Sequence, residues 1–293
     1  MRVTQSMLTG NMLRNLSQSY QRMGKYQDQL STGKRITKPS DDPVVAMKGM
    51  EYRTDLTEVE QFKRNLSEVN SWMENSDAAL DEAGQVLHRV RELTVQASNG
   101  TYEDSQRGAI ADEIGQLRDH LINIANTKVA GKYIFNGTDT TNAPVNADGI
   151  VVRPNGTEAI KIEVSKGIKL KVNIDEDKAF SQDLFDDLQG LVDELNNAGS
   201  SGEQLNAFIG KVDSHLDEVV SERAELGARY NRVEMVQDRV AEQEVIANRI
   251  LSDNEDADME RVIIDLKTQE SVHRAALAAG ARIIQPTLMD FLR

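Results

Sequence analysis

The chain is 293 residues long, 39% hydrophobic, 28% charged and only 4% aromatic, and 48 acidic against 34 basic side chains leave a net charge of −14. That balance argues against holding nucleic acid, where neutralised phosphates supply most of the affinity, and the absence of cysteine removes disulfides, thiolate metal sites and cysteine nucleophiles. The scarcity of aromatics favours thin helical packing over a large globular core, and no run reaches the roughly 18–20 apolar residues that span a bilayer.

The N-terminus has no apolar stretch of the kind a secretory signal carries. Residues 1–38 hold seven basic side chains and one acid, Asp28, for a local charge of +6. An amphipathic helix is expected there, with Leu13, Leu16, Tyr20, Met23 and Leu30 on one face and Gln27 among them. Proline then punctuates the chain at Pro39, Pro43, Pro144, Pro154 and Pro286, which leaves room for long helices between. Asp42 followed by Pro43 predicts a helix start. From Val59 through Phe62, Leu66, Val69, Met73, Ser76, Leu80, Ala83, Leu87, Val90, Thr94 and Ala97, steps of three and four keep one seam toward a partner helix. A helix from Pro43 to Ser98 would be about 80 Å long at 1.5 Å per residue. Asn99-Gly100 should stop it, and Thr101 with Asp104 resembles a capping box for the next helix. That helix, with Ile110, Ile114, Leu117, Leu121 and Ile124 in register, should return antiparallel to the first.

Near Lys132 the period changes to two. Ala159–Val164 and Ile168–Ile174 alternate apolar and charged residues, with a shorter run at Ile150–Val152, and Asn136-Gly137, Asp148-Gly149 and Asn155-Gly156 supply turn signals. After Phe180 the helical period returns in Leu184, Leu188, Leu191 and Leu195. A longer stripe follows from Val212 through Leu216, Val219, Leu226, Tyr230 and Val233 to Val240, and a last one runs from Met259 to about Ile284. This last face carries Val262, Leu266, Ala276 and Ile283 but also Gln269 and His273, so both chain ends are amphipathic helices too polar to be stable alone. The expected fold class is mainly α: an elongated rod of long antiparallel coiled-coil helices drawn from both chain ends, with a small inserted β module.

No catalytic constellation emerges, and no enzyme is expected. The four histidines, His88, His120, His215 and His273, form no metal-binding pair, and Gly199–Gly202 lacks the lysine and hydroxyl of a phosphate loop. The acidic run 253–260 lacks the glycine and bidentate glutamate of a calcium loop, and fits acids at a helix start. No cofactor or metal is expected.

Four segments resemble the bacterial flagellin superfamily. Leu30-Ser31-Thr32-Gly33-Lys34-Arg35-Ile36-Thr37-Lys38-Pro39-Ser40-Asp41-Asp42-Pro43 is similar to the turn after the first helix of that family. Arg89–Thr101 resembles its long helix, Gly131-Lys132-Tyr133-Ile134-Phe135-Asn136-Gly137-Thr138 its entry to the variable domain, and Ala275–Leu292, ending Leu288-Met289-Asp290-Phe291-Leu292, its C-terminal helix. The resemblance implies an inner layer of paired terminal helices, a helical rod and a β domain, in the order 1–38, 39–131, 132–180, 181–252 and 253–293. It also implies export through the flagellar type III apparatus and secretion into the flagellum. The start Met1–Gln5 and the turn Pro39–Pro43 favour the branch that joins hook to filament, with a filament subunit or a secreted coiled-coil translocator or scaffold as alternatives. Partners implied are copies of this chain in a ring, hook-associated protein 1, flagellin and an export chaperone, with neither nucleic acid nor membrane. Assembly residues are then expected at Leu13, Leu16, Tyr20, Met23, Leu30, Leu266, Ala276, Ile283 and Leu288. A hinge is expected at Arg35, Pro39, Ser40, Asp41, Asp42 and Pro43.

Overall fold

The structure, a computed structural model, describes residues 5–99, 103–152, 158–174, 176–197 and 202–284. In chain order these form α1 (Gln5–Thr32), α2 (Pro43–Ser98), α3 (Asp104–Ala125), β1 (Lys128–Val129), β2 (Lys132–Tyr133), β3 (Lys161–Ser165) and β4 (Ile168–Lys171). They are followed by α4 (Glu176–Ala179), α5 (Gln182–Asn196), α6 (Gly202–Glu255) and α7 (Met259–Ile284). The chain divides into two compact units, Val59–Glu242 and the combination of Met1–Glu58 with Gln243–Arg293, so α2 and α6 each contribute a segment to both.

The larger unit, 59–242, holds the core. Its seam on α2 is the one the periodicity predicts: Leu66, Val69, Met73, Ser76, Leu80, Ala83, Leu87, Val90, Thr94 and Ala97 are all buried, and Val59 and Phe62 partly so. Thr94 is accommodated there because its hydroxyl donates to the Val90 carbonyl at 2.7 Å. Polar pairs on the flanks fix the helix directions. Arg89 meets Glu113 at 2.8 Å and His120 meets Glu82 at 3.0 Å, which sets α3 antiparallel to α2 as expected. Arg91 meets Asp213, and Arg223 grips Asp77 and Asp81, so α6 is also antiparallel to α2. On the remaining side α5 packs on α3 and is tied to α6 by Asp187, which takes Lys211 at 2.6 Å and His215 at 3.0 Å. Burial alone would raise the Asp187 carboxyl, but the hydrogen bonds from Lys211 and His215 outweigh it and hold its pKa below the usual carboxylate range.

The start of α3 departs from the sequence reading. Its cap is Glu103, whose backbone N–H donates to the Gln106 side chain at 3.2 Å; Thr101 lies outside the described residues. Glu103 and Gln106 satisfy the same spacing rule as the expected pair, two residues further on.

The β residues form two hairpins. In β1–β2, Lys128 faces Tyr133 and Val129 faces Lys132 across a turn at Ala130 and Gly131, both with positive φ. In β3–β4, Lys161 faces Lys171, Ile162 faces Leu170 and Glu163 faces Lys169. This hairpin turns at Lys166-Gly167, where Gly167 takes φ +76°, and not at any of the Asn-Gly or Asp-Gly pairs read from the sequence. The Asp148-Gly149 signal does turn the chain between β2 and β3: with Gly149 at φ +83°, Val145 pairs antiparallel with Val151 and the Val152 N–H donates to the Pro144 carbonyl at 2.8 Å; Gly137 also takes positive φ, and Asn155-Gly156 lies outside the described residues. The hairpins share the helical core: Phe135 and Phe180 are fully buried with ring centroids 4.9 Å apart. The Asn65 side chain donates to the Glu163 carbonyl at 2.7 Å, and Arg229 donates to the Asn173 carbonyl at 2.7 Å.

Candidate assembly surface

The smaller unit, 1–58 with 243–293, is built on opposite lines. Among the described residues only two of its apolar side chains, Val262 and Leu266, belong to the buried core, whereas fifteen of the chain's twenty exposed large apolar side chains lie in it. Burying an apolar side chain is worth about 1.5–3 kcal/mol, so a unit that leaves most of them in water has surface to cover.

α1 packs antiparallel on α7 through small and polar contacts. Gln269 donates to the buried Ser19 hydroxyl at 2.8 Å, and the Tyr20 and His273 rings lie 6.2 Å apart. The Met12 thioether lies over Gly280 so closely that a Cβ there would sit 1.6 Å from its methyl carbon. Between the two helices runs a groove of about 650 Å³ lined by Met12, Leu16, Val272 and Ala276 with Asn15 and Ser19. Of the residues read as assembly contacts, Leu13, Tyr20 and Leu30 are exposed, with Tyr20 at 66%, and Leu16, Met23 and Ala276 are half-buried. Leu266 is buried inside the unit. Ile283 falls in the last turn of α7 with its side chain outside the described residues, as is all of Leu288.

The link from α1 to α2 is held by its own polar groups. Asp42 accepts the Val44 and Val45 amides at 3.1 Å, the cap its sequence predicts. Asp41 accepts the Lys38 amide at 3.1 Å, and that backbone hydrogen bond, with those of Thr37, lowers its pKa. Arg35 contributes its main chain: its N–H donates to the Glu255 carbonyl at 2.6 Å, and its carbonyl accepts the Gln29 side chain at 2.7 Å. Pro39, Ser40 and Pro43 are exposed.

Sequence reasoning missed the group that organises this link. Glu255, the last residue of α6, is 6% exposed, and its carboxylate takes Lys34 at 2.9 Å and Arg53 at 2.6 Å. Desolvation pushes the Glu255 carboxyl up, but the hydrogen bonds from Arg53 and Lys34 prevail and its pKa is lowered. Two main-chain bonds flank it, Arg35 N–H to the Glu255 carbonyl and Ala257 N–H to the Gly33 carbonyl at 2.8 Å, so residues 33–35 and 255–257 form a short antiparallel bridge. Gly49 makes room: a Cβ there would stand 2.6 Å from the Glu255 carboxylate. A glycine inside a predicted helix was the one available signal, since such a residue costs about 1 kcal/mol against alanine unless something approaches it. The acidic run does serve a helix start at Asp258, which caps Arg261 at 3.1 Å.

α1 and α7 thus pair with each other while large apolar side chains such as Leu13, Tyr20, Ile264 and Val272 stay exposed. The chain matches the bacterial flagellin N-terminal helical region over residues 3–140 and the bacterial flagellin C-terminal helical region over residues 209–292. It is 27% identical to flagellar hook-associated protein 3 of Escherichia coli over 95% of this chain and 96% of that protein. To the flagellin of Bacillus subtilis it is 30% identical over 80% of each. A solved structure of a putative flagellar hook-associated protein from Vibrio parahaemolyticus shares the fold, with TM-score 0.68 and 19% identity over 74% of this chain and 100% of that one. The chain belongs to the bacterial flagellin family, and it is a structural component of the flagellum.

Proposed function

We propose that this chain is a junction subunit, forming a ring that joins the hook side of the flagellum, through hook-associated protein 1, to the first flagellin subunits. The observation that carries the proposal is the inverted burial of the smaller unit, supported by similarity to hook-associated protein 3 along nearly the whole of both chains. Leu13, Leu16, Tyr20, Met23 and Leu30 of α1, with Ala276, Ile283 and Leu288 of the C-terminal segment, supply contacts between copies, and Leu266 holds α7 in place beneath them. Arg35 and the turn Pro39-Ser40-Asp41-Asp42-Pro43 act as the joint between the terminal helices and the rod. Residues 1–38 and 253–293 form the inner layer, 39–131 and 181–252 the rod, and 132–180 the inserted β domain. The chain travels through the type III export apparatus with a dedicated chaperone.

The test is co-sedimentation with isolated hooks carrying hook-associated protein 1. The wild-type chain pellets with hooks. Leu16→Asp, which places a charge in the α1–α7 groove, stays in the supernatant while fluorescence of the buried Trp72 in the larger unit is unchanged. Unfolding of the larger unit by Leu16→Asp, or undiminished pelleting, contradicts the proposal. A filament subunit is the second reading, favoured by the 30% identity to flagellin; it requires the chain to form long fibres by itself.

A further inference from the structure

Within the larger unit, a cavity of about 470 Å³ lies between α2 and α6. Buried Met73 and Leu226 give it an apolar lining, and Glu74, Asp77, Tyr230 and Asn231 a polar one. Gly227 keeps it open: a Cβ there meets nothing within 4 Å outside its own stretch of helix. Asp77 receives Arg223 at 2.8 and 3.2 Å, but that guanidinium also serves Asp81, so it is divided between two carboxylates. Among the described residues, the Glu74 carboxylate and the Asn231 amide have no hydrogen-bond or ion-pair partner. An apolar cavity with a few unsatisfied polar groups at its edge is the usual form of a small-molecule site.

Charge and spacing name the ligand. The smaller unit has fifteen acidic and fifteen basic residues, so the whole net charge of −14 falls on the larger unit, which draws cations. A metal ion does not fit, because among the described residues no three metal-ligating side chains converge. A cation carried on methylenes does fit, since it satisfies the carboxylates while its chain covers apolar surface. Residues three apart on a helix, as Glu74 and Asp77 are, hold their Cβ atoms about 5–6 Å apart. Two ammonium groups joined by three or four methylenes, with bonds of about 1.5 Å, span that distance.

We propose that this cavity binds a short aliphatic diamine. One ammonium donates to the Glu74 carboxylate and the Asn231 side-chain carbonyl, and the methylenes lie on Met73, Leu226 and the Tyr230 ring. The second ammonium donates to the lone pairs of Asp77 that Arg223 leaves free. Bound there, the diamine ties α2 to α6 and stabilises the larger unit by mass action. The site stands or falls apart from the assembly role.

The experiment titrates 1,4-diaminobutane at low salt into the full-length chain labelled with ¹³C at its methionine methyls. The Met73 methyl resonance shifts and saturates, the Met50 methyl in the smaller unit stays put, and the urea midpoint of Trp72 fluorescence rises. Glu74→Gln, a change at an exposed side chain, weakens binding about tenfold. Gly227→Leu fills the open space and abolishes binding while Trp72 fluorescence keeps its wild-type spectrum. Butylamine, with one charge, binds at least tenfold more weakly than the diamine. A silent Met73 methyl overturns the proposal, as does undiminished binding by either variant or equal binding of butylamine. An equal Met73 shift with magnesium ions, which carry the same charge without methylenes, also overturns it, as diffuse attraction to an acidic unit.

Discussion

Replacing Glu255 by glutamine removes one charge at nearly constant volume and probes the bridge between residues 33–35 and 255–257. The Glu255 side chain as a whole is 8% exposed and accepts Lys34 at 2.9 Å and Arg53 at 2.6 Å, but those two side chains are themselves 45% and 54% exposed. Charge-assisted hydrogen bonds in a buried setting contribute roughly 1.5–3 kcal/mol; here both cations can return to water and salt screens them, so the net loss is about 1–2 kcal/mol. That loss lowers the cost of opening the bridge and should appear at the two amides that close it, Arg35 and Ala257. Their hydrogen exchange in Glu255→Gln should be about 5–30 times faster than in the wild type. Amides of α2 around Leu80, in the core of the larger unit, should keep wild-type protection. Unchanged exchange at Arg35 and Ala257 would show that the main-chain bonds alone hold the bridge, and would refute the role given to the carboxylate.

Acid should act on the same bridge. The lowered pKa of Glu255 means that its contribution is complete above the usual carboxylate range and is lost as the pH falls through the lowered folded-state value, so the protection of the Arg35 and Ala257 amides, measured against the intrinsic exchange rate at each pH, falls only on strong acidification. A loss of protection at these amides on going from neutral to alkaline pH, after the same correction, would contradict that sign. Gly49→Ala ought to gain about 1 kcal/mol of helix propensity, but its Cβ would displace the Glu255 carboxylate, so a faster-exchanging bridge is expected and a stabilised one would count against the geometry. Leu80→Ala, on the fully buried seam, should cost the larger unit about 2–5 kcal/mol, read as a lower urea midpoint of Trp72 fluorescence, and a midpoint within error of wild type would remove Leu80 from the core.

What was legible in the sequence was whatever repeats along one helix. The bounds of α2, from the Asp42 cap to Ser98, and its buried seam follow from a sustained three–four spacing, as do the stripes of α3, α5 and α6. The bounds of α7, Met259–Ile284, were readable for the same reason. The cap of α3 moved to Glu103 because several residues in 101–106 can serve such a role and local pattern does not rank them. The β3–β4 turn was missed because Lys166-Gly167 is a weaker turn signal than the Asn-Gly pairs nearby, and the register of Ile162 on Leu170 decides between them. Apart from Gly49, nothing local marked the Glu255 cluster, because its partners are 221 and 202 residues away in the chain.

Electron microscopy of the purified chain, alone under salting-out conditions and then with isolated hooks carrying hook-associated protein 1, addresses the junction role most directly. The account predicts a short cap of this protein added to the hook tip, and no long fibres from the protein alone. Long helical filaments formed without hooks would make the chain a filament subunit and contradict it.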